Sequence, residues 1–570
     1  MEAEKEEKKE QSSFMEQWAR RQFASVSVSI TRQAGEAEER MLPMRDGIRL
    51  KTVVCLPQPI AEGEQFPAIL VRSCYPQQEI ILRIRAEEFV KRGFGFVYQW
   101  CRGTGGSEGE WEPNVNERAD GMDTVNWLAG QPFVKNIGYW GDSYLALTGW
   151  CMADAVPEKV KTMCLGVYGA DRHTSAYQDG LFRMDVLTSW AKENAGTAVR
   201  ADNEASYLFR PQREVDEKLW GVRLDWYRDW IGNPERKADY WNRGFWGMLK
   251  EIPGKVKIPL LLREGWYDHH LGSCLVSYRN LSPEAKKHSV LRIGPWNHSY
   301  VPVIPEENTA RLTDDAAAAP MEWFYRILVK EEMPEGMIQE YVIGEDRWME
   351  KKEAESDGEP SDLCSRSFFL CGEGRLSEAA EADTERTYCY DPERPVRSHG
   401  AEALLADMKE NGSLLQPGPD YREDVISFTS DALQKKLLVE GSIRVRLFVS
   451  SDAEDTAFTA KVMEVFPDGR TVNVRGGITT LAFRDGTGCR QDYVPGQIAE
   501  ADIRMWDIAW CFREGSRIRV DISSSDFPQY AVHTNFPGVW SEQERTKKAN
   551  QTVYMGLRYP SAVVLPVGQE

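Results

Sequence analysis

Three residues of this chain have the types and the order of an acyl-transfer relay: Ser143, Asp268 and His298. Ser143 lies in Ile137-Gly138-Tyr139-Trp140-Gly141-Asp142-Ser143-Tyr144-Leu145-Ala146, a short apolar run that passes through Gly-x-Ser into a helical pattern. A strand-to-helix turn of this kind lifts a serine hydroxyl above the edge of a sheet, at the start of the next helix. There the Tyr144 N–H and the helix dipole can stabilise a developing oxyanion. The second glycine usual two residues after such a serine is Leu145 here. A bare Gly-x-Ser also recurs by chance, so the motif needs partners.

The base that activates a serine is most often a histidine, and the chain has only seven. His288 begins its strand, at the wrong edge; His399 and His533 fall in or beyond a linker and in a β-rich region; His173 opens an insertion. His298 follows the apolar run Ser289–Ile293 through Gly294-Pro295-Trp296-Asn297, which places it in a loop at the strand's C-terminal end. Asp268 stands just beyond the run Lys257–Arg263 and just before a helical pattern, Leu271–Leu281. Alone, Asp268 would read as a turn or helix cap, and His298 as a surface-loop residue. Together, at strand ends and in the order Ser…Asp…His, they fit an α/β-hydrolase. His269 and His270 beside the acid could suggest a metal, but adjacent side chains on one helical turn point apart. No metal and no cofactor is expected.

These residues need a sheet to converge. From about 24 to 170 short β-rich runs (Pro67–Cys74, Gly95–Trp100, Ile137–Trp140, Lys161–Val167) alternate with helical spacing at Gln78–Arg92, Glu117–Gly130 and Tyr144–Ala155. That alternation predicts a mostly parallel sheet covered on both faces. Ser25–Ile30, Arg40–Met44 and Leu50–Leu56 read as an opening antiparallel meander turning at Arg45-Asp46-Gly47. The alternation stops at 171–250, a helical stretch holding Trp190, Trp220, Trp226, Trp230, Trp241 and Trp246, and resumes up to a helix near Met321–Lys330. Such an insertion is placed to cap a pocket, although most of its rings would simply pack its own core. Arg102–Gly109 is glycine-rich but matches neither a P-loop nor a dinucleotide fingerprint; it reads as a tight loop bracing the serine's turn, with Arg102 ion-paired. Beyond about 420 many short strands with regular turns predict a β-sandwich of jelly-roll type.

The expected organisation is therefore a charged tail (1–24), an α/β-hydrolase domain (25–170 and 251–350), a helical cap (171–250), and a linker near 350–365 leading to the jelly-roll β domain (351–570). A formal charge of −19 over 570 residues repels phosphate backbones and anionic headgroups, so neither nucleic acid nor membrane is an expected partner. The N-terminal mixture of Glu and Lys has no apolar run, which predicts no secretory signal. Eleven scattered cysteines without C-x-x-C spacing read as reduced thiols of a cytoplasmic protein. The oligomeric state stays open, a homodimer included.

In several stretches the sequence resembles the cocaine esterase and X-Pro dipeptidyl-peptidase family of serine hydrolases, from about 38 to 560. The resemblance rests on Met44-Arg45-Asp46-Gly47, Val71-Arg72-Ser73-Cys74-Tyr75, Arg102–Gly109, Gly141-Asp142-Ser143-Tyr144, Gly265-Trp266-Tyr267-Asp268, Gly294-Pro295-Trp296-Asn297-His298, Val449-Ser450-Ser451-Asp452-Ala453 and Ser523-Ser524-Ser525-Asp526-Phe527-Pro528. It implies Ser143 as nucleophile, His298 as general base and Asp268 as its orienting carboxylate. It also implies Tyr75 as an oxyanion-hole donor beside the Tyr144 N–H. Ala146 departs from a glycine common in the family, and His269-His270 from small or apolar residues. The expected function is hydrolysis of an ester or amide of a small acyl or aryl substrate through an acyl-enzyme. Two alternatives stand beside it. One is an X-Pro dipeptidyl-peptidase, which needs an acid for a substrate ammonium, with Asp202, Glu204, Asp216 and Glu217 on offer. The other is a catalytically silent binding protein on the same scaffold.

Overall fold

The computed structural model describes residues 15–304, 315–352 and 365–568. Ten strands form one sheet: β1 (Glu38–Pro43), β2 (Arg49–Cys55), β3 (Phe66–Ser73), β4 (Gly95–Trp100), β5 (Val134–Asp142), β6 (Val160–Gly166), β7 (Leu260–Tyr267), β8 (Val290–Asn297), β9 (Met337–Val342) and β10 (Arg347–Lys352). Their spatial order is β10-β9-β8-β7-β6-β5-β3-β4-β2-β1. From β4 to β9 every pair is parallel, while β1, β2 and β10 run antiparallel at the two edges. Parallel strands need helical crossovers, which bury both faces. Accordingly all eight residues of β7 and all six of β4 are buried. Helices α1 (Glu79–Lys91), α2 (Glu117–Ala129), α3 (Tyr144–Trp150) and α5 (Leu271–Arg279) are among the crossovers.

Between β6 and β7 lies the helical stretch, including α4 (Met184–Glu193), Asn203–Leu208, Asp225–Gly232 and Gly244–Glu251. Trp220, Trp230, Trp241 and Trp246 are buried there. Apart from two short two-stranded pieces, the remaining strands make an eleven-stranded, almost wholly antiparallel β-rich half. At its centre Leu437–Ser451 pairs with Ala499–Phe512 on one side and with Ala549–Met555 and Ala562–Pro566 on the other. This long strand is carried past Gly441 (φ 117°) by a bulge between Ser442 and Arg444.

Three elements differ from the sequence expectation. Ser25–Ile30, with its alternating Val-Ser-Val-Ser, forms no strand. This segment instead covers the C-terminal end of α1. Arg92 Nε donates to Val28 O at 2.9 Å, and the Thr31 and Arg32 amides donate to Lys91 O. The linker starts later than expected, because Arg347–Lys352 is the edge strand β10; residues 353–364 of it lie outside the described residues. Residues 15–21 belong to the charged tail, where a helix running on to Arg21 was open to expectation; they are helical, but not solvated throughout. Ala19 is buried against Ile81 and Ile84 of α1. Among the described residues no helix is long and apolar enough to cross a membrane, and the ten described cysteines are all free.

Candidate active site

Ser143 sits between β5 and α3 with φ 58° and ψ −128°, a strained conformation for a side-chain-bearing residue. The strain is held by close backbone crossings that only glycine allows. A Cβ on Gly141 would lie 2.1 Å from Leu145 O, and one on Gly166 would lie 2.1 Å from the Tyr300 hydroxyl. The Ser143 N–H donates to Gly166 O at 2.9 Å, tying the turn to β6. The preceding Asp142 accepts from Tyr300 Oη at 2.9 Å and pairs with Arg85 at 3.5 Å. Arg85 in turn lies over the Trp140 ring at 4.0 Å.

Asp268 directly follows β7 and His298 directly follows β8, two adjacent parallel strands. Parallel pairing brings their C-terminal ends, and that of β5, to one rim. His298 Nε2 lies 3.0 Å from Ser143 Oγ. On the other side of the ring His298 Nδ1 bonds the Asp268 carboxylate. Asp268 is fully buried, and its other oxygen accepts the His270 N–H at 2.6 Å. Burial pushes the Asp268 carboxyl up, but the attraction of the His298 ring, with the hydrogen bonds from His298 and Glu264, holds it below the usual range.

Behind Asp268 stands Glu264, a buried carboxyl inside β7 that the sequence analysis did not single out. Burial first, and then the Asp268 charge, raises its pKa well above the ordinary 4.5, so Glu264 holds its proton while Asp268 is ionised. Because the native state binds this proton more tightly than the unfolded chain, stability falls as pH rises above 4.5. Glu264→Gln, uncharged in both states, should therefore outlast the native protein in urea by a margin that grows by about 1.4 kcal/mol per pH unit. The margin should vanish near pH 4; a difference independent of pH from 4 to 8 would show that Glu264 is not a proton-holding group.

Tyr75 follows β3 and faces the same rim. Its hydroxyl accepts the Trp190 Nε1–H at 2.9 Å, and burial raises its pKa well above 10, so it keeps a proton to donate. The Tyr144 N–H opens α3, where an amide has no partner within its own helix. The Tyr144 ring is clamped: its hydroxyl donates to Glu117 at 3.0 Å, Glu117 pairs with Arg72 at 3.3 Å, and the ring stacks on Trp190 at 5.9 Å. Arg102 is ion-paired as expected, with Asp120 and Asp46, both at 2.7 Å. The groups that meet the Tyr144 hydroxyl are Glu117 of α2 and the Asn114 N–H.

His269 and His270 depart from the expectation that they point apart. Both lie in the turn before α5 rather than on it, and their ring centroids are 4.3 Å apart. His269 is 4.3 Å from the His298 ring, and His270 Nδ1 meets the Ser175 hydroxyl at 2.9 Å. Burial drives both pKa values well below 6.5, so both rings are neutral. Asp268, His269 and His298 bring potential metal-ligand atoms within 4.8 Å of one another, but the Asp268–His298 bond already uses two of them.

Ser143, His298, Tyr75 and Tyr144 line a cavity of about 310 Å³, together with Trp190 and Trp230 of the helical stretch, Leu405 of the β-rich half, and Trp18 and Gln22. The four acids noted from the sequence are occupied elsewhere. Asp202 caps a helix, Glu204 pairs with Arg397, and Asp216 and Glu217 both bind Arg228. Glu193 and Arg172 are the charged residues of the 171–250 stretch on the cavity; sequence reasoning missed both, since neither belongs to a motif.

Fold and site together define a serine hydrolase of the α/β-hydrolase class, acting on ester or amide bonds. Residues 46–300 match the X-Pro dipeptidyl-peptidase (S15 family) and residues 343–564 the X-Pro dipeptidyl-peptidase C-terminal non-catalytic domain. The chain is 30% identical to cocaine esterase of Rhodococcus sp. (strain MB1 Bresler), over 93% of this chain and 98% of that one. The chain belongs to this cocaine esterase and S15 peptidase family. In fold it is similar to an α-amino acid ester hydrolase (TM-score 0.77, 22% identity, 94% of this chain and 97% of that one). It is equally similar to an aminopeptidase from a marine sediment archaeon, Thaumarchaeota archaeon (TM-score 0.77, 20% identity, 93% and 96%).

Proposed function

We propose that Ser143 is the nucleophile of an esterase working through an acyl-enzyme, with residues 171–250 as its cap. The observation that carries this reading is the unbroken chain from Ser143 Oγ through both ring nitrogens of His298 to Asp268. In the first half-reaction Ser143 Oγ adds to the carbonyl carbon as its proton passes to His298 Nε2. The carbonyl oxygen becomes an oxyanion held by the Tyr75 hydroxyl and the Tyr144 N–H. Collapse breaks the bond to the leaving alcohol, which takes the proton from His298. Water then repeats the sequence on the acyl-enzyme, releasing acid and free Ser143. The ionised Asp268 fixes His298 with Nδ1 protonated and Nε2 open, and stabilises the imidazolium that forms. Free, mostly buried thiols fit a reducing compartment, so we place the protein in the cytoplasm.

A peptidase reading has one observation in its favour: Glu193 faces the cavity and could meet a substrate ammonium. Turnover of 4-nitrophenyl butyrate, set beside an X-Pro 4-nitroanilide, separates the two; preference for the anilide would overturn the esterase reading. A binding-only role predicts no adduct with a fluorophosphonate, whereas the proposal predicts one adduct per chain, on Ser143.

Tyr75→Phe removes one oxyanion donor and should lower kcat by ~10²–10³-fold with little change in KM. A kcat within a few-fold of the native protein would assign Tyr75 to packing against Trp190 alone.

A further inference from the structure

The cavity holds a buried cation with no carboxylate partner. Arg172 opens the short helix Arg172–Ala176 and is only 8% exposed, yet it lines the cavity beside Ser143 and His298. Its guanidinium lies 4.6 Å over the Trp230 ring and meets the Tyr168 hydroxyl, while Nε is buried without an acceptor. Among the described residues no acid comes within ion-pair distance. The neighbouring Asp171 is taken by Arg236 and by capping its own helix, and Asp142 by Arg85 and Tyr300. His269 and His270 are neutral and supply no countercharge. Glu193, the other cap charge on the cavity, is largely exposed. A buried cation is retained where something pairs with it, because an unpaired one is strongly destabilising.

Arg172 is also on the substrate's path. Trp230 beneath it contacts Trp190 at 5.7 Å, and Trp190 bonds the Tyr75 hydroxyl. On another side His270 packs on Tyr168 at 4.4 Å and lies 6.0 Å from His298. A guanidinium stacked on an indole presents its edge N–H groups as a fork suited to a carboxylate.

We propose that Arg172 binds an anionic group, a carboxylate, carried by the ester substrate, and so sets specificity for acidic esters. This inference rests on the esterase reading above. Its product would be a dicarboxylic acid, or a hydroxy acid where the anion sits on the alcohol side.

Two matched pairs test it: mono-4-nitrophenyl adipate against its methyl-capped diester, and 4-acetoxybenzoate against methyl 4-acetoxybenzoate. The native protein should favour the anionic member of at least one pair in kcat/KM. Arg172→Gln should cut that anionic-to-neutral ratio by roughly 10- to 100-fold, the range for a charge-assisted bidentate contact, and Arg172→Lys should restore part of it. Free adipate or 4-hydroxybenzoate should inhibit the native protein competitively and Arg172→Gln more weakly. If Arg172 only packs on Trp230, both members of a pair fall together and the ratio holds, which overturns the inference while the esterase reading stands. Preference for neutral or cationic esters in the native protein overturns it too, and would make Glu193 the selecting charge. No turnover of any ester by the native protein would instead sink the esterase reading itself. Should Arg172→Gln not fold, the native preference and the inhibition by free acids still decide.

Discussion

Ser143→Ala should lower kcat on an activated ester by ~10⁴–10⁶-fold, the loss expected when a relay loses its nucleophile. The residue after removal is catalysis by the oxyanion donors and by binding, which act on the carbonyl whatever attacks it. Alanine has no more difficulty than serine at φ 58°, and the turn is held by Gly141, Gly166 and the Ser143 N–H rather than by the hydroxyl. The melting temperature should therefore stay close to the native value, and the KM of a bound ester should change little. Intact-mass analysis after fluorophosphonate treatment gives a second readout, one adduct on the native chain and none on the variant. A variant retaining a tenth of the native kcat would remove Ser143 from the chemistry.

Asp268→Asn carries the next largest effect, a loss of ~10³–10⁴-fold in kcat. An amide in place of the carboxylate can offer its N–H to His298 Nδ1. The ring then takes the tautomer with Nε2 protonated, and no lone pair faces Ser143 Oγ across the 3.0 Å gap. Raising the pH does not repair a wrong tautomer, so the loss should persist from pH 6 to 9. The same change removes the charge that helps to keep Glu264 protonated. The pH-dependent stability gain of Glu264→Gln should therefore shrink when it is made in the Asp268→Asn background. A loss below tenfold would mean that another group orients His298, with Glu264 the nearest candidate in β7.

The sequence was most readable where hydrophobic runs end abruptly. Leu260-Leu261-Leu262 and Val290-Leu291-Arg292-Ile293 can only be buried strands, and an acid and a histidine just beyond them fall at the C-terminal rim of a parallel sheet. Strand length was less readable: β5, β7 and β8 run two to four residues beyond their apolar runs toward the rim, through residues such as Gly141, Glu264, Gly265 and Gly294, and the extensions of β7 and β8 pair with each other across a register shift at Trp266. Ser25–Ile30 shows the limit of alternation as evidence. Its pattern suits a strand, but its neighbourhood bonds to the C-terminal end of α1 instead. The polar contents of the pocket were the least readable. Glu264, Arg172 and Glu193 carry no motif, and their meaning comes from which neighbours do or do not neutralise them, which only the assembled fold determines.

The cavity wall includes Leu405, and the Ala406 amide donates to Asp185 of α4 at 3.1 Å. The reaction chamber is thus closed by segments some two hundred positions apart along the chain. Neither half is an independent module that could be trimmed away or exchanged with a relative's counterpart while the selectivity of the other persists. Changes that widen substrate scope should accordingly arise in coordinated sets, one on each side of that seam.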